Sequence, residues 1–173
     1  MKVEQRCQAI ELVLSDVDGV LTGGGIIFDN QGIESKQFHV RDGLGIKLWQ
    51  RAGYKFGLIT GRSSHIVKIR AAELGVDVLR QTAEEKLSAA LDVMRELGFA
   101  PEQTCYIGDD LPDLPAMRGV ALGVAVADAS PEVRAAAHLV TVARGGEGAV
   151  REAIETILKA QLRWEDLIQQ YVS

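Results

Sequence analysis

Five short apolar runs punctuate the chain, Ile10 to Leu14, Lys55 to Ile59, Val76 to Leu79, Thr104 to Ile107 and Val120 to Val126, and helical stretches fill intervals between them. Runs of four to seven residues without polar alternation are buried on both faces, as the strands of a parallel sheet are. Gly45 to Arg51, Ser64 to Leu74 and Glu84 to Leu97 carry helical patterning, with Gly53, Gly75 and Gly98 just past their ends, where a left-handed cap suits glycine. Leu87, Leu91, Met94 and Leu97 repeat at helical spacing and are expected to pack into the core. Strands alternating with helices through right-handed crossovers predict an α/β fold, a doubly wound, Rossmann-like parallel sheet. At 173 residues there is length for one core and none for a separate cap domain, so residues 1–173 are expected to form a single domain.

One segment breaks the rhythm. After Thr22-Gly23-Gly24-Gly25 come the apolar Ile26-Ile27-Phe28, a turn at Asp29-Asn30-Gln31-Gly32, and a second extended run from Ile33 to His39. This predicts a β-hairpin flap over 22–40, between the first strand and the first helix, lying over the C-terminal edge of the sheet where such folds bind ligands. Its apolar side chains, too many for so small a hairpin to bury, are expected at an interface between subunits. A last helix is predicted from Ala149 to Gln161, followed over 162–173 by a polar tail carrying Trp164 and Tyr171.

Charge narrows the partners. Nineteen Lys and Arg against twenty-four Asp and Glu give a net charge of −5, with no basic run, so the footprint of a nucleic-acid or anionic-membrane partner is missing. Cys7 and Cys105 lie far apart, which fits burial in a reducing compartment better than a disulfide framework. No apolar run approaches a bilayer span and the start has no signal-peptide run, so a cytoplasmic location is expected.

An acidic protein that binds phosphate needs a metal or local cations, and the motifs supply both. Asp16-Val17-Asp18 follows directly on the first strand, placing two carboxylates at the sheet's C-terminal edge. Like charges held this close are tolerated when a cation sits among them, and Mg²⁺ takes carboxylate and carbonyl oxygens. A capping role accounts for one such Asp but poorly for both. A second cluster, Asp109, Asp110 and Asp113 in Gly108-Asp109-Asp110-Leu111-Pro112-Asp113, ends the fourth strand and belongs beside the first in a doubly wound sheet. Thr60-Gly61-Arg62 ends the second strand at a helix start, a natural anion site, and Lys86 lies on the helix after the third.

These four elements, in this order, resemble the haloacid dehalogenase superfamily of phosphohydrolases. The closer resemblance is to the 3-deoxy-D-manno-octulosonate 8-phosphate phosphatase family. It is carried by Asp16 to Gly24, the hairpin, Val40-Arg41-Asp42-Gly43-Leu44-Gly45, Ile59-Thr60-Gly61-Arg62, Tyr106 to Leu111, Val124 to Ala129 and Gly148 to Glu152, nearly the whole chain. The resemblance implies Mg²⁺-dependent release of phosphate from that sugar acid phosphate in lipopolysaccharide precursor biosynthesis. It makes Asp16 the nucleophile and Asp18 the general acid and base. Asp16, the Asp18 carbonyl and Asp109 would hold the metal, with Asp110 and Asp113 in support. Thr60, Gly61 and Lys86 would hold the phosphoryl group, and Arg41, Asp42 and Arg62 would meet the substrate. It further implies a homotetramer whose hairpins pack together while a neighbour covers each site. Glu147 stands where some members carry a basic residue.

Three rival readings concern the same residues. Related phosphatases act on nine-carbon sugar acid 9-phosphates, but the deaminated branch has an acidic residue after the Thr/Ser-Gly pair, where this chain has Arg62. A phospho-receiver would need an Asp after the third strand, where Arg80-Gln81-Thr82 stands instead, and an inactive homologue would have lost a motif residue, which this chain has not. Among the histidines only His39, beside Arg41 and Asp42, lies near the expected site; His65 and His138 are scattered.

Overall fold

The structure, a computed structural model, describes residues 1–172. Its strands are Leu12–Ser15 (β1), Ile27–Phe28 (β2), Glu34–Ser35 (β3), Lys55–Ile59 (β4), Val78–Arg80 (β5), Thr104–Gly108 (β6), Leu122–Ala125 (β7) and Leu139–Val140 (β8). Six of them form one parallel sheet in the order β5-β4-β1-β6-β7-β8, while β2 and β3 pair antiparallel as a separate hairpin. The helices are Val3–Cys7 (α1), Val40–Arg51 (α2), His65–Leu74 (α3), Lys86–Leu97 (α4), Leu114–Arg118 (α5), Pro131–Ala136 (α6), Ala149–Ala160 (α7) and Trp164–Val172 (α8).

The chain winds outward from β1 through β4 to β5, then returns to β6 on the other side of β1. That reversal opens a crevice at the C-terminal ends of β1 and β6, the place where a doubly wound sheet receives a ligand. All four residues of β1 are buried, as the unbroken run Leu12-Val13-Leu14-Ser15 between two parallel neighbours requires. Gly57 faces Leu14 across the β1–β4 register, and a Cβ there would lie 2.8 Å from a Leu14 methyl.

Four departures from the sequence reading have local causes. Helix α2 starts at Val40 rather than Gly45, because the His39 imidazole caps it, Nδ1 accepting from the Arg41 amide at 3.2 Å. His39 is thus a helix cap. Leu91 is 39% exposed, since the buried stripe of α4 runs through Lys86, Ala90, Val93 and Met94. The segment read as a tail is α8, with Trp164 buried beneath the Arg151 guanidinium, 4.8 Å from the ring; Ser173 lies outside the described residues. Short α1, α5, α6 and the two-residue β8 went unread because one turn or two residues carry no period. Tyr171 accepts from Arg51 at the last turn of α2, so α8 packs toward the N-terminal edge of the sheet, away from the crevice. Cys7 and Cys105 are buried and unpaired.

Candidate active site

Past Ser15 the ladder continues one residue further, the Asp16 amide donating to the Ile107 carbonyl at 3.0 Å. The chain then turns sharply, with Leu21 donating to Val17 at 2.9 Å and Gly19 at φ +91°. Glycine is required here on two counts, because a Cβ would also lie 2.0 Å from an Asp109 carboxylate oxygen. The Asp16 loop and the Asp109 loop are thereby brought into direct contact.

Asp113 organises the second loop. Fully buried, it accepts from Lys86 Nζ at 2.7 Å, the Tyr106 hydroxyl at 2.9 Å, and the Asp109 and Asp110 amides at 3.0 and 3.3 Å. Lys86, itself buried at the first turn of α4, also meets Asp16 Oδ2 at 2.7 Å. The other Asp16 oxygen, Oδ1, accepts from the Val17 amide at 2.7 Å. One ammonium therefore bridges two carboxylates, leaving a third N–H free. Asp110 turns outward and caps the following 3₁₀ turn, Oδ1 accepting from the Leu111 amide at 2.8 Å.

One oxygen each from Asp16, Asp109 and Asp113 lie within 4.8 Å of one another. Burial, then the neighbouring Asp113 charge, pushes the Asp16 carboxyl up to about 6, with Lys86 pulling against it. The same two causes, joined by Asp16, push Asp109 up to about 8. For Lys86 burial disfavours the ammonium, but Asp113 and Asp16 more than offset this and hold it charged. Three carboxylates, Asp16 and Asp113 buried and Asp109 half-buried, against one ammonium leave uncompensated negative charge, and an oxygen-only donor set suits a hard divalent cation. Asp113 has four donors already, so Asp16 and Asp109 are the carboxylates with capacity to spare.

Thr60, 2% exposed at the end of β4, holds the Arg62 amide through its hydroxyl at 3.3 Å. Asp16, Asp18, Thr60, Gly61, Lys86 and Asp109 line one cavity of about 450 Å³, with Arg62, Asp110 and Asp113 also in its wall. Arg41 and Asp42 are elsewhere within this chain. Asp42 is buried at the N-terminus of α7, accepting from the Arg151 amide at 2.9 Å, and burial raises its pKa against that capping bond. It serves as a helix anchor. Arg41 lines a different groove, about 630 Å³, which it shares with Glu147 and Arg151.

Two contributors escaped the sequence reading. From the hairpin, Lys36 pairs with Asp18 Oδ1 and with Glu34 at 3.2 Å, and Glu34 accepts from the Ser64 hydroxyl at 2.6 Å and meets Arg62 at 3.4 Å. Period-two alternation sets Glu34, Lys36 and Phe38 on one side of an extended segment and was the available signal. The second contributor is the loop at Gly145 and Gly146. Its backbone lies so close to the Asp16 loop that a Cβ on Gly145 would sit 1.7 Å from the Gly19 carbonyl oxygen. Gly145→Ala is accordingly expected to cost at least about 1–3 kcal/mol of stability and to displace the Asp16 loop. A thermal melt run beside an activity assay checks both effects, and an unchanged melt would mean the two loops can separate freely.

Known proteins resemble this chain over most of its length. The family of haloacid dehalogenase-like hydrolases matches residues 33–120. The 3-deoxy-D-manno-octulosonate 8-phosphate phosphatase of Yersinia pestis is 46% identical over 163 residues, covering 94% of this chain and 87% of that one. The chain belongs to the 3-deoxy-D-manno-octulosonate 8-phosphate phosphatase family of haloacid dehalogenase-like hydrolases. Solved structures of this family superpose along the whole length. The Moraxella catarrhalis phosphatase, in complex with magnesium, phosphate and the sugar acid, is 41% identical with a TM-score of 0.95, each chain 97% covered. A cobalt-bound Haemophilus influenzae phosphatase is 42% identical with a TM-score of 0.93, covering 98% of this chain and 100% of that one. Among the described residues no helix is long and apolar enough to cross a membrane.

Proposed function

We propose that the chain is a Mg²⁺-dependent phosphatase that hydrolyses 3-deoxy-D-manno-octulosonate 8-phosphate through an aspartyl-phosphate, in lipopolysaccharide precursor biosynthesis. The observation that carries this is the meeting of Asp16, Asp18, Thr60, Lys86 and Asp109 in one cavity. Asp16, Asp109 and the backbone carbonyl of Asp18 would hold the metal, which supplies positive charge against nucleophile and substrate when bound. In the first half-reaction an Asp16 oxygen attacks phosphorus, the bond to the sugar oxygen breaks, and Asp18 gives its proton to the departing alkoxide. In the second, Asp18 takes a proton from water, the water oxygen attacks phosphorus, and the bond to Asp16 breaks. The free N–H of Lys86 and the hydroxyl of Thr60 are suited to the phosphoryl oxygens, whose charge spreads in the transition state.

A phosphate-release screen across sugar acid phosphates, with Mg²⁺ present and then chelated, tests the reading. The eight-carbon 8-phosphate should show a higher kcat/KM than nine-carbon 9-phosphates, and Arg62→Ala should erode that preference, because its partly exposed guanidinium faces the cavity beside Asp18, Nε to Oδ2 3.9 Å. Better turnover of the nine-carbon compounds would move the assignment to the sibling substrate while leaving the chemistry standing.

Metal binding should also reshape the pH dependence of stability. With Asp16 raised to about 6 and Asp109 to about 8, these two carboxyls bind more protons in the metal-free folded protein than in the unfolded chain from about pH 4 to pH 8. Their contribution to stability therefore falls as pH rises through that window. Mg²⁺, by stabilising both carboxylates in their charged form, should raise Tm more at pH 8 than at pH 5.5. Equal shifts at the two values would count against these carboxylates as the ligands.

A further inference from the structure

The mechanism above gives the hairpin no part in the chemistry, yet Lys36 pairs with Asp18, a residue of the cavity wall, and its side chain is only 1% exposed. We propose that Lys36 is a positioning residue for Asp18, aiming its carboxyl for proton transfer; the proposal rests on the phosphatase reading and deepens it. An exposed ion pair would contribute little. Here the ammonium is withdrawn from water between two half-buried carboxylates, and its position is set by both, Asp18 Oδ1 and Glu34 Oε1. With Oδ1 engaged, Oδ2 is the Asp18 oxygen left for the reacting proton, and Arg62 Nε stands 3.9 Å from it, beyond hydrogen-bond reach.

The support continues into the rigid part of the fold. Glu34 is tied by its second oxygen to the Ser64 hydroxyl at 2.6 Å. Ser64, 4% exposed, is the N-cap of α3 and accepts from the Val67 amide. An uninterrupted series of polar contacts thus runs from a helix end through Ser64, Glu34 and Lys36 to Asp18. Each member fixes the rotamer of the next, which is what a group that must meet a leaving oxygen within a fraction of an ångström needs. The flap, beyond covering the cavity, orients the acid.

The test compares two leaving groups. The alkoxide of the sugar acid 8-phosphate needs a proton to depart, whereas p-nitrophenolate leaves p-nitrophenyl phosphate without one. Lys36→Met should lower kcat for the sugar phosphate about 10- to 100-fold, the scale of a misplaced catalytic group. KM, and the pre-steady-state burst of p-nitrophenolate, should each change by less than about 3-fold, since ground-state binding and unassisted departure are spared. Lys36→Arg, which keeps the charge, should recover most of the loss. Ser64→Ala, remote from the substrate, should show the same pattern in weaker form and serves if Lys36→Met misfolds. Equal losses on both substrates, a raised KM with intact kcat, or native turnover by Lys36→Met would each overturn the proposal. Wild-type enzyme that gives the burst but does not turn over the sugar acid 8-phosphate would instead overturn the substrate reading, and Lys36 would then be judged with glycerol phosphate as the alkyl ester.

Discussion

Asp16→Asn protein is expected to fold normally and to release phosphate more than about 10⁴-fold more slowly than wild type, the scale on which losing a nucleophile is felt. A carboxamide is a poor nucleophile and a weaker metal ligand, so a single replacement removes both functions. The fold should tolerate it because the asparagine oxygen can still accept a hydrogen bond, from either Lys86 or the Val17 amide, both now bound to Asp16. Removing the charge also relieves the repulsion from Asp113 that helps push the Asp16 carboxyl up to about 6. A melting temperature near or above that of metal-free wild type, together with absent turnover, would separate chemistry from stability. Asp18→Asn should be less complete, since positioned proton transfer contributes roughly 10²–10⁴-fold. Near-native turnover by well-folded Asp16→Asn would remove the aspartyl-phosphate from the mechanism.

The second large effect is expected in assembly. Ile26, Ile27, Phe28 and Ile33 are 46 to 58% exposed on a hairpin whose strands are two residues each, and a lone hairpin of that size is marginal in water. Its other side is tied to its own cavity through Glu34 and Lys36, so the apolar side chains are left for a neighbour to cover. Closed symmetry among copies of the chain is the usual solution, and four subunits is the number we propose. Replacing Ile27 and Phe28 together by Asp should dissociate the particle and lower kcat/KM, although neither side chain lines the cavity around Asp16. Light scattering at assay concentration decides it: a fully active wild-type monomer would mean that the hairpin shields the site unaided.

The sheet was readable because five of its six strands are apolar runs long enough to bury, and β4 was delimited to the residue. The sixth, Leu139–Val140, is two half-exposed residues at an edge and carries no such signal. Asp16, Asp18, Thr60, Lys86 and Asp109 were readable as candidates because each follows a strand end or starts a helix on one edge of a doubly wound sheet, and capping explains too few of them together. Arg41 and Asp42 adjoin the hairpin in sequence, yet α2 begins at Val40 and its first turn carries Asp42 to the end of α7 instead. Sequence spacing cannot convey that, since the contact spans 109 positions. Lys36 and Glu34 were overlooked for the opposite reason: charged residues on a short hairpin usually face water, and only the tertiary fold turns them inward.

The close seating of Gly145 and Gly146 against Gly19 and Thr22 has a consequence in time. Every residue assigned to the chemistry, from Asp16 to Asp109, lies before this wedge in the chain. Pairing β1 with β4 and β6 can align the carboxylates roughly once the first hundred or so residues have collapsed, but the loop bearing Asp16 and Asp18 has one face open until the later segment arrives. Contacts between distant parts of a chain are the slowest to form. Asp16 thus leaves synthesis well ahead of the segment that closes its loop, and a chain that has not yet added that segment lacks one wall of the nucleophile's setting.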